Sequence, residues 1–335
     1  MSGDYHIDWL EALSERFDCV FYGPGFPHYS PQSGLAEILA DTAPFIPDLM
    51  VVATSWDDDE SEESVDPNPR VDFSVTEIPT VYFLNKDYKK LDQRIYFAER
   101  NRFDVVLTTN PRHIEWSLGR YSRYQHLEFG VNLERFSAVS EGGSRNVDLF
   151  FSGGLHRQYT DERVKFKEAL FRGEHLNRLS NITPLKKPSN RMLTPEVSGI
   201  GVYWAEWGAK DFFGRTLVPT GRAYVRMLRS SHIGFNTLSA NETLNTRFYE
   251  QMAAGNVVLA PGPESKYRGL LTHMENALIY PQDNAFEGIE LILDVLNDRK
   301  LISGIRENAR QAVRAHSYAE RVRFLENFLE ELGFI

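Results

Sequence analysis

Short apolar runs alternate with helix-like patterns along most of the chain. Runs of four to eight apolar residues between turn signals are typical of buried strands, and apolar residues three or four apart are typical of amphipathic helices. In the first half the pattern predicts strands at Cys19–Tyr22, Leu49–Ala53, Thr80–Leu84, Val105–Thr108 and near His126–Phe129. It predicts helices at Ile7–Arg16, Ser33–Ala40, Asp87–Asn101 and Pro111–Leu118.

The alternation restarts after a polar, glycine-rich connector at residues 140–146. Predicted strands follow at Val147–Phe151, Ile233–Phe235, Val257–Ala260 and Ala277–Tyr280. Predicted helices are Asp161–Phe171, Gly221–Arg229, Leu244–Ala254, Phe286–Leu296, Arg299–Ala315 and Tyr318–Leu332. Residues 173–218 show no clear period and are rich in glycine, proline and aromatic residues. Long stretches of this kind are often functional.

Strand–helix alternation predicts an α/β fold in which parallel sheets are covered by helices on both faces. We expect two Rossmann-like domains, residues 1–140 and 141–316, and a final helix at 317–335. Two such domains place a ligand cleft at the carboxyl ends of their strands. The chain opens with a helix pattern, so the usual first strand of a doubly wound domain is either absent or replaced.

Composition and charge exclude several classes of protein. The chain has 335 residues, of which 42% are hydrophobic and 25% charged, with a net charge of −10. An acidic balance argues against non-specific binding of nucleic acid. The single cysteine, Cys19, excludes an intrachain disulfide and a multi-cysteine metal site, and fits a reducing compartment. We see no secretory signal and no apolar run long enough to span a membrane, so a cytoplasmic protein is expected.

The most informative run is residues 241–256, in which Glu242 and Glu250 stand eight positions apart. The run is interpreted as loop, helix, small-residue break and strand. Thr243 or Asn241 can cap the helix, and the free amides at Leu244–Thr246 are suited to a pyrophosphate. The carboxylates can accept hydrogen bonds from sugar or ribose hydroxyls. Alternatively, the glutamates are a cap neighbour and a solvated helix charge.

Other candidates come with simpler alternatives. The loop after the first predicted strand carries Gly23, Gly25 and His28, which could contact an acceptor or a phosphate, and His28 could be a general base. The acidic run from Asp57 to Glu63 could hold a metal ion but is better explained as a solvated loop. Four aromatic residues could stack on a base or sugar, or could simply pack the domain: Trp204, Trp207, Phe212 and Phe213.

Several segments together resemble retaining glycosyltransferases of the two-domain GT-B type, and most of all their CgeB-type branch. The run ending in Glu250-Gln-Met-Ala-Ala-Gly is similar to the family's Glu-x7-Glu signature. Tyr22-Gly-Pro-Gly and Phe129-Gly-Val-Asn resemble turns of the first domain. Residues 147–154 open the second domain, and residues 306–328 are similar to the closing helices. The likeness spans most of the chain and is strongest from Ser231 to Leu329.

The resemblance implies a GT-B fold whose last helix crosses back to the first domain. By the same resemblance, Glu250 binds the ribose of the donor and Glu242 lies at the transferred sugar. Arg157, Arg163 and Arg247 are candidates to neutralise the pyrophosphate, next to Gly153 and Gly154. The family often has Gly-Phe-Gly after the first glutamate, where this chain has Thr243, Leu244 and Asn245.

We therefore expect a glycosyltransferase that moves a sugar from a nucleotide-diphosphate donor to a hydroxyl acceptor, retaining and without a metal or other cofactor. The expected partners are the nucleotide sugar and the acceptor, with no nucleic acid; peripheral membrane contact and the oligomeric state stay open. Three alternatives remain. One is a sugar-nucleotide epimerase or hydrolase on the same scaffold, another a non-catalytic protein that binds nucleotide or glycan in spore or envelope assembly. The third is a metal-dependent GT-A enzyme using Asp57.

Overall fold

The computed structural model describes residues 5–42, 44–53, 71–84, 90–112, 123–137, 145–155, 157–171, 200–206 and 218–335. In these ranges the strands are β1 Met50–Ala53, β2 Thr80–Leu84, β3 Val105–Thr108, β4 Arg123–His126, β5 Val147–Gly153, β6 Val202–Glu206, β7 Ser231–Phe235, β8 Val257–Pro261 and β9 Ala277–Tyr280. The helices are α1 Tyr5–Arg16, α2 Leu35–Thr42, α3 Leu91–Arg100, α4 Leu133–Ser137, α5 Arg157–Phe171, α6 Gly221–Ser230, α7 Thr246–Ala253, α8 Ala285–Asn297, α9 Arg299–Val313 and α10 Tyr318–Glu331.

Most predicted elements are confirmed, and β2, β3 and β9 have the predicted bounds. Their side chains are buried along nearly the whole strand, which is why continuous apolar runs identified them. Two elements, α4 and β6, were not predicted. The second lies inside the stretch at 173–218 that showed no period. The predicted helix at Pro111–Leu118 and the acidic run from Asp57 fall mostly or wholly outside the described residues.

The strand predicted at Cys19–Tyr22 is wrong, because the structure forms no strand there. Val20 is 39% exposed, and the segment continues into a loop held by Tyr22. The Tyr22 hydroxyl donates to the Ser30 carbonyl at 2.7 Å and accepts from the Ser30 amide at 3.0 Å. The β-forming residues of this segment find no ladder partner, and strand propensity depends on such a partner.

Contacts divide the chain into two compact units. The smaller unit comprises Glu11–Phe129 and Ala319–Ile335, and the larger comprises Met1–Leu10 and Gly130–Tyr318. In the smaller unit, Arg16 pairs with Glu326 at 2.8 Å, and Arg321 donates to the Phe129 carbonyl at 3.2 Å. The domain boundary predicted at residue 140 stays a prediction. None of the described helices is long and apolar enough to cross a membrane.

The smaller unit is built on a parallel sheet with the order β1-β2-β3-β4. Neighbours in this sheet therefore follow one another along the chain. Its core is an aromatic cluster in which Tyr82 and Phe103 stack at 5.3 Å between ring centroids, with Phe97 against both. Ring pairs of this kind stabilise a core beyond the area that they bury.

The larger unit is built on a parallel five-stranded sheet with the order β6-β5-β7-β8-β9. Phe166 of α5 stacks on Phe235 at 4.2 Å, and Trp204 stacks on Phe151 at the same distance. Trp204 thus packs in the core, as the simpler alternative held, and its indole donates to Glu206 at 3.0 Å. Trp207, Phe212 and Phe213 lie outside the described residues.

Candidate functional site

The second sheet reverses its strand order between β5 and β7. From β5 the chain passes to β6 on one side and then returns to β7 on the other side. In open α/β sheets, ligands bind beyond the carboxyl ends of the strands at such a reversal, because the adjoining loops diverge there. Gly153 and Gly154 lie at this end of β5, and Asn236 and Thr237 follow β7. All four residues are buried.

Arg163 of α5 joins the two strand ends across the reversal. Its Nη1 donates to the Gly154 carbonyl at 3.0 Å, and its Nε donates to the Thr237 hydroxyl at 2.8 Å. The side chain also lies over the Phe151 ring, and the residue is only 5% exposed. Burial, followed by the nearby Arg247, lowers the pKa of Arg163 to about 9. The guanidinium therefore keeps its charge at neutral pH.

Arg247, in the first turn of α7, brings a second guanidinium to the same place. Its Nη1 lies where a Cβ on Gly153 would be only 3.0 Å away, so the glycine permits this approach. Among the described residues, neither Arg163 nor Arg247 forms a salt bridge with a carboxylate. Two adjacent like charges without a counter-ion are a suitable site for an anion that accepts hydrogen bonds, such as a phosphate.

The cap of α7 differs from the prediction. Asn245, and not Thr243 or Asn241, is the N-cap residue: its Oδ1 accepts from the Arg247 amide at 3.2 Å. Its Nδ2 donates to the Thr237 carbonyl at 2.9 Å, and Asn236 donates to its Oδ1 at 3.0 Å. The helix thus begins at Thr246, later than the predicted Leu244. Because Asn245 takes the Arg247 amide, a phosphate here would depend more on the guanidiniums than on helix amides.

Two buried polar atoms of the loop before α7 lack a hydrogen-bond partner among the described residues. They are Asn236 Oδ1 and Thr243 Oγ1, on residues that are 0% and 3% exposed. Leaving such an atom unsatisfied costs on the order of 1–3 kcal/mol. The backbone of Thr243 is held by Ser239, whose amide and hydroxyl donate to its carbonyl at 3.0 and 2.9 Å. Unsatisfied groups in a tightly held loop are typical of a functional site.

Glu242 lies in this loop, before the helix, in a left-handed backbone conformation. Its φ is +58°, and that of Asn241 is +59°. Strained conformations at non-glycine residues cluster at functional sites. The Glu242 carboxylate forms an ion pair with Lys266 at 2.9 Å, and its side chain is 43% exposed. Lys266 also donates to Gln282 at 3.2 Å, so it joins the loops that follow β7, β8 and β9.

Glu250, in contrast, is buried in α7 and only 4% exposed. Its carboxylate accepts a hydrogen bond from the Tyr224 hydroxyl at 2.7 Å. Burial, then the charge of Glu250, raises the pKa of Tyr224 well above its ordinary value, so the hydroxyl stays protonated and keeps donating. The two glutamates thus occupy different surroundings, Glu242 in the loop before the helix and Glu250 within the helix. Their roles toward sugar and ribose stay predictions.

Of the four remaining predicted residues, three lie in a loop and the fourth, Arg157, lies at a helix start. Arg157 begins α5. In the smaller unit, His28 is exposed with a φ of +63°, in a loop where Gly23 and Gly25 also have positive φ. Among the described residues, no group of three or more histidine, cysteine or acidic side chains is arranged to hold a metal ion.

Sequence reasoning missed several partners of the site, namely Asn236, Thr237, Tyr224 and Lys266. A signal existed for the first two, because they follow a predicted buried strand directly. Nothing local indicated Tyr224 and Lys266, since their contacts join segments far apart in the chain.

Comparison with known proteins agrees with this architecture. Residues 186–327 match a family model described as glycosyl transferase-like. HepE from Anabaena, solved in complex with UDP-glucose, has a TM-score of 0.51 and 14% identity over 76% of this chain and 72% of that one. TarM has a TM-score of 0.52 and 11% identity over 76% of this chain and 51% of that one. No curated protein sequence matches significantly.

The fold is therefore that of the GT-B glycosyltransferases, α/β with two parallel sheets and a helical carboxyl terminus. The glycosyl transferase-like match covers β6 to β9, and so includes Arg247, Glu242 and Glu250. The identities are low, so the neighbours establish the fold alone.

Proposed function

We propose that the protein is a glycosyltransferase that moves a sugar from a nucleotide-diphosphate donor to a hydroxyl acceptor. The observation that carries this proposal is the convergence of Arg163 and Arg247 at the strand reversal, beside Gly153 and Gly154. Two guanidiniums with no paired carboxylate in the described residues match the charge of a pyrophosphate. The glycines let the pyrophosphate approach the backbone closely.

In this proposal the nucleotide sugar extends from the arginine pair toward both glutamates. Glu250 accepts hydrogen bonds from the ribose hydroxyls, and the Tyr224 hydroxyl holds its carboxylate in place. Glu242 lies at the transferred sugar, where it stabilises the positive charge that develops at the anomeric carbon. The amides of Thr243, Leu244 and Asn245 complete the donor site, to which Arg157 also belongs in this proposal.

Reaction then breaks the bond between the anomeric carbon and the diphosphate oxygen. The acceptor oxygen bonds to that carbon with retention of configuration, and the acceptor proton passes to the leaving diphosphate. The guanidiniums stabilise the charge of the leaving group, so the proposal needs no metal ion or other cofactor. If the configuration inverts instead, His28 is the candidate base, in the acceptor-side loop with Gly23 and Gly25.

The first test is binding. A panel of nucleoside diphosphates, with UDP included because HepE was solved with UDP-glucose, is screened by thermal shift. A nucleotide at about 100 times its Kd should stabilise the protein by roughly 2.7 kcal/mol. Arg247→Gln should abolish that shift, whereas Arg323→Gln, at an exposed arginine paired with Glu320, should keep it. An equal shift in Arg247→Gln and wild type would refute the phosphate site.

Turnover separates the remaining alternatives. Acceptor-dependent release of nucleoside diphosphate supports transfer, whereas release or isomerisation of the donor alone would indicate a hydrolase or an epimerase. Binding without turnover would indicate a non-catalytic protein. Loss of activity with a chelator and in Asp57→Asn would indicate the metal-dependent arrangement. Glu242→Gln should lower kcat more than donor affinity, and equal losses would reduce Glu242 to a binding residue.

The CgeB-type branch, a polysaccharide product and a cytoplasmic location belong to the same proposal. They rest on the sequence resemblance and the single cysteine. Localisation of a tagged full-length protein and product analysis with candidate acceptors test them.

A further inference from the structure

A second group of arginines lies at the amino ends of the strands in the five-stranded sheet of the larger unit. Arg145 precedes β5, His232 is the second residue of β7, and Gly255 precedes β8, so all three lie at the amino ends of parallel strands. Arg306 and Arg310 reach this edge from α9. The arginine pair of the proposed donor site is at the carboxyl ends, so these two groups are distinct.

The contacts show how close the guanidiniums are. Arg145 donates to the Ser231 carbonyl and, at 2.9 Å, to the Ala254 carbonyl. Arg306 donates to Nδ1 of His232, the residue after Ser231. Arg310 lies directly over Gly255, the residue after Ala254, with Nη2 only 2.5 Å from where a Cβ would be. Three guanidiniums therefore lie close to the same two short segments, Ser231–His232 and Ala254–Gly255.

Their charges are poorly compensated. Arg306 and Arg310 are one helical turn apart, a spacing at which like charges destabilise a helix, and Arg299 lies on the same face seven residues earlier. The one carboxylate paired with this group among the described residues is Glu307, 4.0 Å from Arg310. Burial, then Arg306 and Arg310, lowers the pKa of Arg145 to about 9.

Not all of their donors are used. Arg145 is explained structurally, because it satisfies backbone carbonyls. The Nε atoms of Arg306 and Arg310, however, are buried and have no hydrogen-bond partner among the described residues. Arg310 is still 32% exposed, so the group can be reached from solvent. Neighbouring guanidiniums with so little negative charge beside them are suited to the tetrahedral oxygens of a phosphate.

We propose that Arg306 and Arg310, supported by Arg145 and His232, bind a phosphate-bearing anion at the amino ends of the strands of the five-stranded sheet. A free phosphate compound and an anionic phospholipid headgroup both offer this chemistry. A neutral His232 fits either, because its Nδ1 orients Arg306 without adding charge. The site is separate from the proposed donor site and does not depend on that assignment.

The test uses the full-length protein in the Arg247→Gln background, which removes phosphate binding at the proposed donor site. Thermal shift is measured with inorganic phosphate against chloride at constant ionic strength. We expect phosphate to stabilise this protein, and Arg306→Gln/Arg310→Gln to weaken the apparent phosphate affinity by at least about tenfold. In the same background, Arg16→Gln/Arg323→Gln, which removes two exposed arginines elsewhere, should keep the phosphate response of the Arg247→Gln parent.

A second measurement separates an anion site from a structural cluster. Without phosphate, Arg306→Gln/Arg310→Gln should melt at the same temperature as its parent or higher, because repulsion is removed. Sedimentation with phosphatidylglycerol and phosphatidylcholine vesicles identifies the source of the phosphate. Loss of phosphatidylglycerol binding in the double variant supports a headgroup, and a response to inorganic phosphate alone supports a soluble compound. An unchanged phosphate response together with unchanged vesicle binding overturns the proposal.

Discussion

The two parallel sheets differ in strand order. In the smaller unit, neighbouring strands follow one another along the chain, β1-β2-β3-β4, whereas the larger unit has the order β6-β5-β7-β8-β9. Only a reversal of order makes neighbouring loops diverge at the carboxyl end of a sheet. The reversal in the described structure lies between β5 and β7, where Arg163 and Arg247 meet. The strand order therefore favours the larger unit as the location of the proposed anion site.

The absence of a strand at Cys19–Tyr22 contributes to this difference between the two sheets. A strand there would have given the first sheet a further neighbour and the chance of a reversal of its own. The loop that follows is instead held by two hydrogen bonds between the Tyr22 hydroxyl and the backbone of Ser30. In the proposed function this unit supplies the acceptor-side loop, and loops can form a binding surface without a strand reversal.

The largest effect should come from Arg163→Ala. This change removes three hydrogen bonds that join the ends of β5 and β7, and leaves buried acceptors unsatisfied. We expect the free energy of unfolding to fall by about 2–4 kcal/mol in urea denaturation, with loss of nucleotide binding. Arg163→Lys should recover part of the stability. A variant as stable as wild type would show that Arg163 does not join the strand ends.

The next largest effect should come from substitution of Glu250. Glu250→Gln keeps the size of the side chain but replaces a charged acceptor, and the nucleotide Kd should rise about tenfold. Tyr224→Phe should have a smaller effect in the same direction, because it removes only the hydroxyl that holds the carboxylate. Titration calorimetry measures both, with Glu320→Gln as the control. Unchanged nucleotide affinity in Glu250→Gln would contradict the ribose assignment.

Gly153→Ala tests whether the close approach of Arg247 to the end of β5 matters for nucleotide binding. The added Cβ would lie 3.0 Å from Nη1 and 3.3 Å from Cζ of Arg247, so the guanidinium must move. We expect the nucleotide Kd to rise about threefold to tenfold, with a stability loss below about 1 kcal/mol, because a side chain gives way more easily than backbone. Gly304→Ala, where a Cβ would meet nothing, is the matched control. Equal affinities in both variants would place Arg247 away from the ligand.

Much of this architecture follows from local pattern. Buried parallel strands such as β2 and β3 are continuous apolar runs, and α9 shows a clear amphipathic period, so their positions were predictable. The strand β6 was not predictable in the same way, because it is five residues long and follows a long stretch without period. The Tyr224–Glu250 bond and the Lys266–Glu242 pair join residues 26 and 24 positions apart, and only the folded sheet brings them together. The cap at Asn245 was missed because several polar residues compete for it locally.

Lowering the pH should destabilise the larger unit through protonation of His232. Burial, followed by Arg306 and Arg145, lowers the pKa of His232 from 6.5 to about 4. Between these values the unfolded chain binds more protons than the folded one, so stability is lost as pH falls from about 6.5 toward 4. His232→Asn should flatten part of this loss in melting curves recorded across that window. His6, whose pKa burial also lowers to about 4, should contribute a second, additive part that His6→Asn removes.

The smallest effect on folding should come from His28→Ala. The side chain is exposed in a loop of the smaller unit, so the free energy of unfolding should change by less than about 0.5 kcal/mol. Nucleotide affinity should not change either, since the proposed donor site belongs to the other unit. Turnover decides the role of the residue: a retaining enzyme that uses the leaving diphosphate as base should keep most of its kcat, whereas an inverting enzyme should lose its activity. A fall in nucleotide affinity in His28→Ala would contradict the contrast between the two sheets, because the donor would then contact the unit without a reversal.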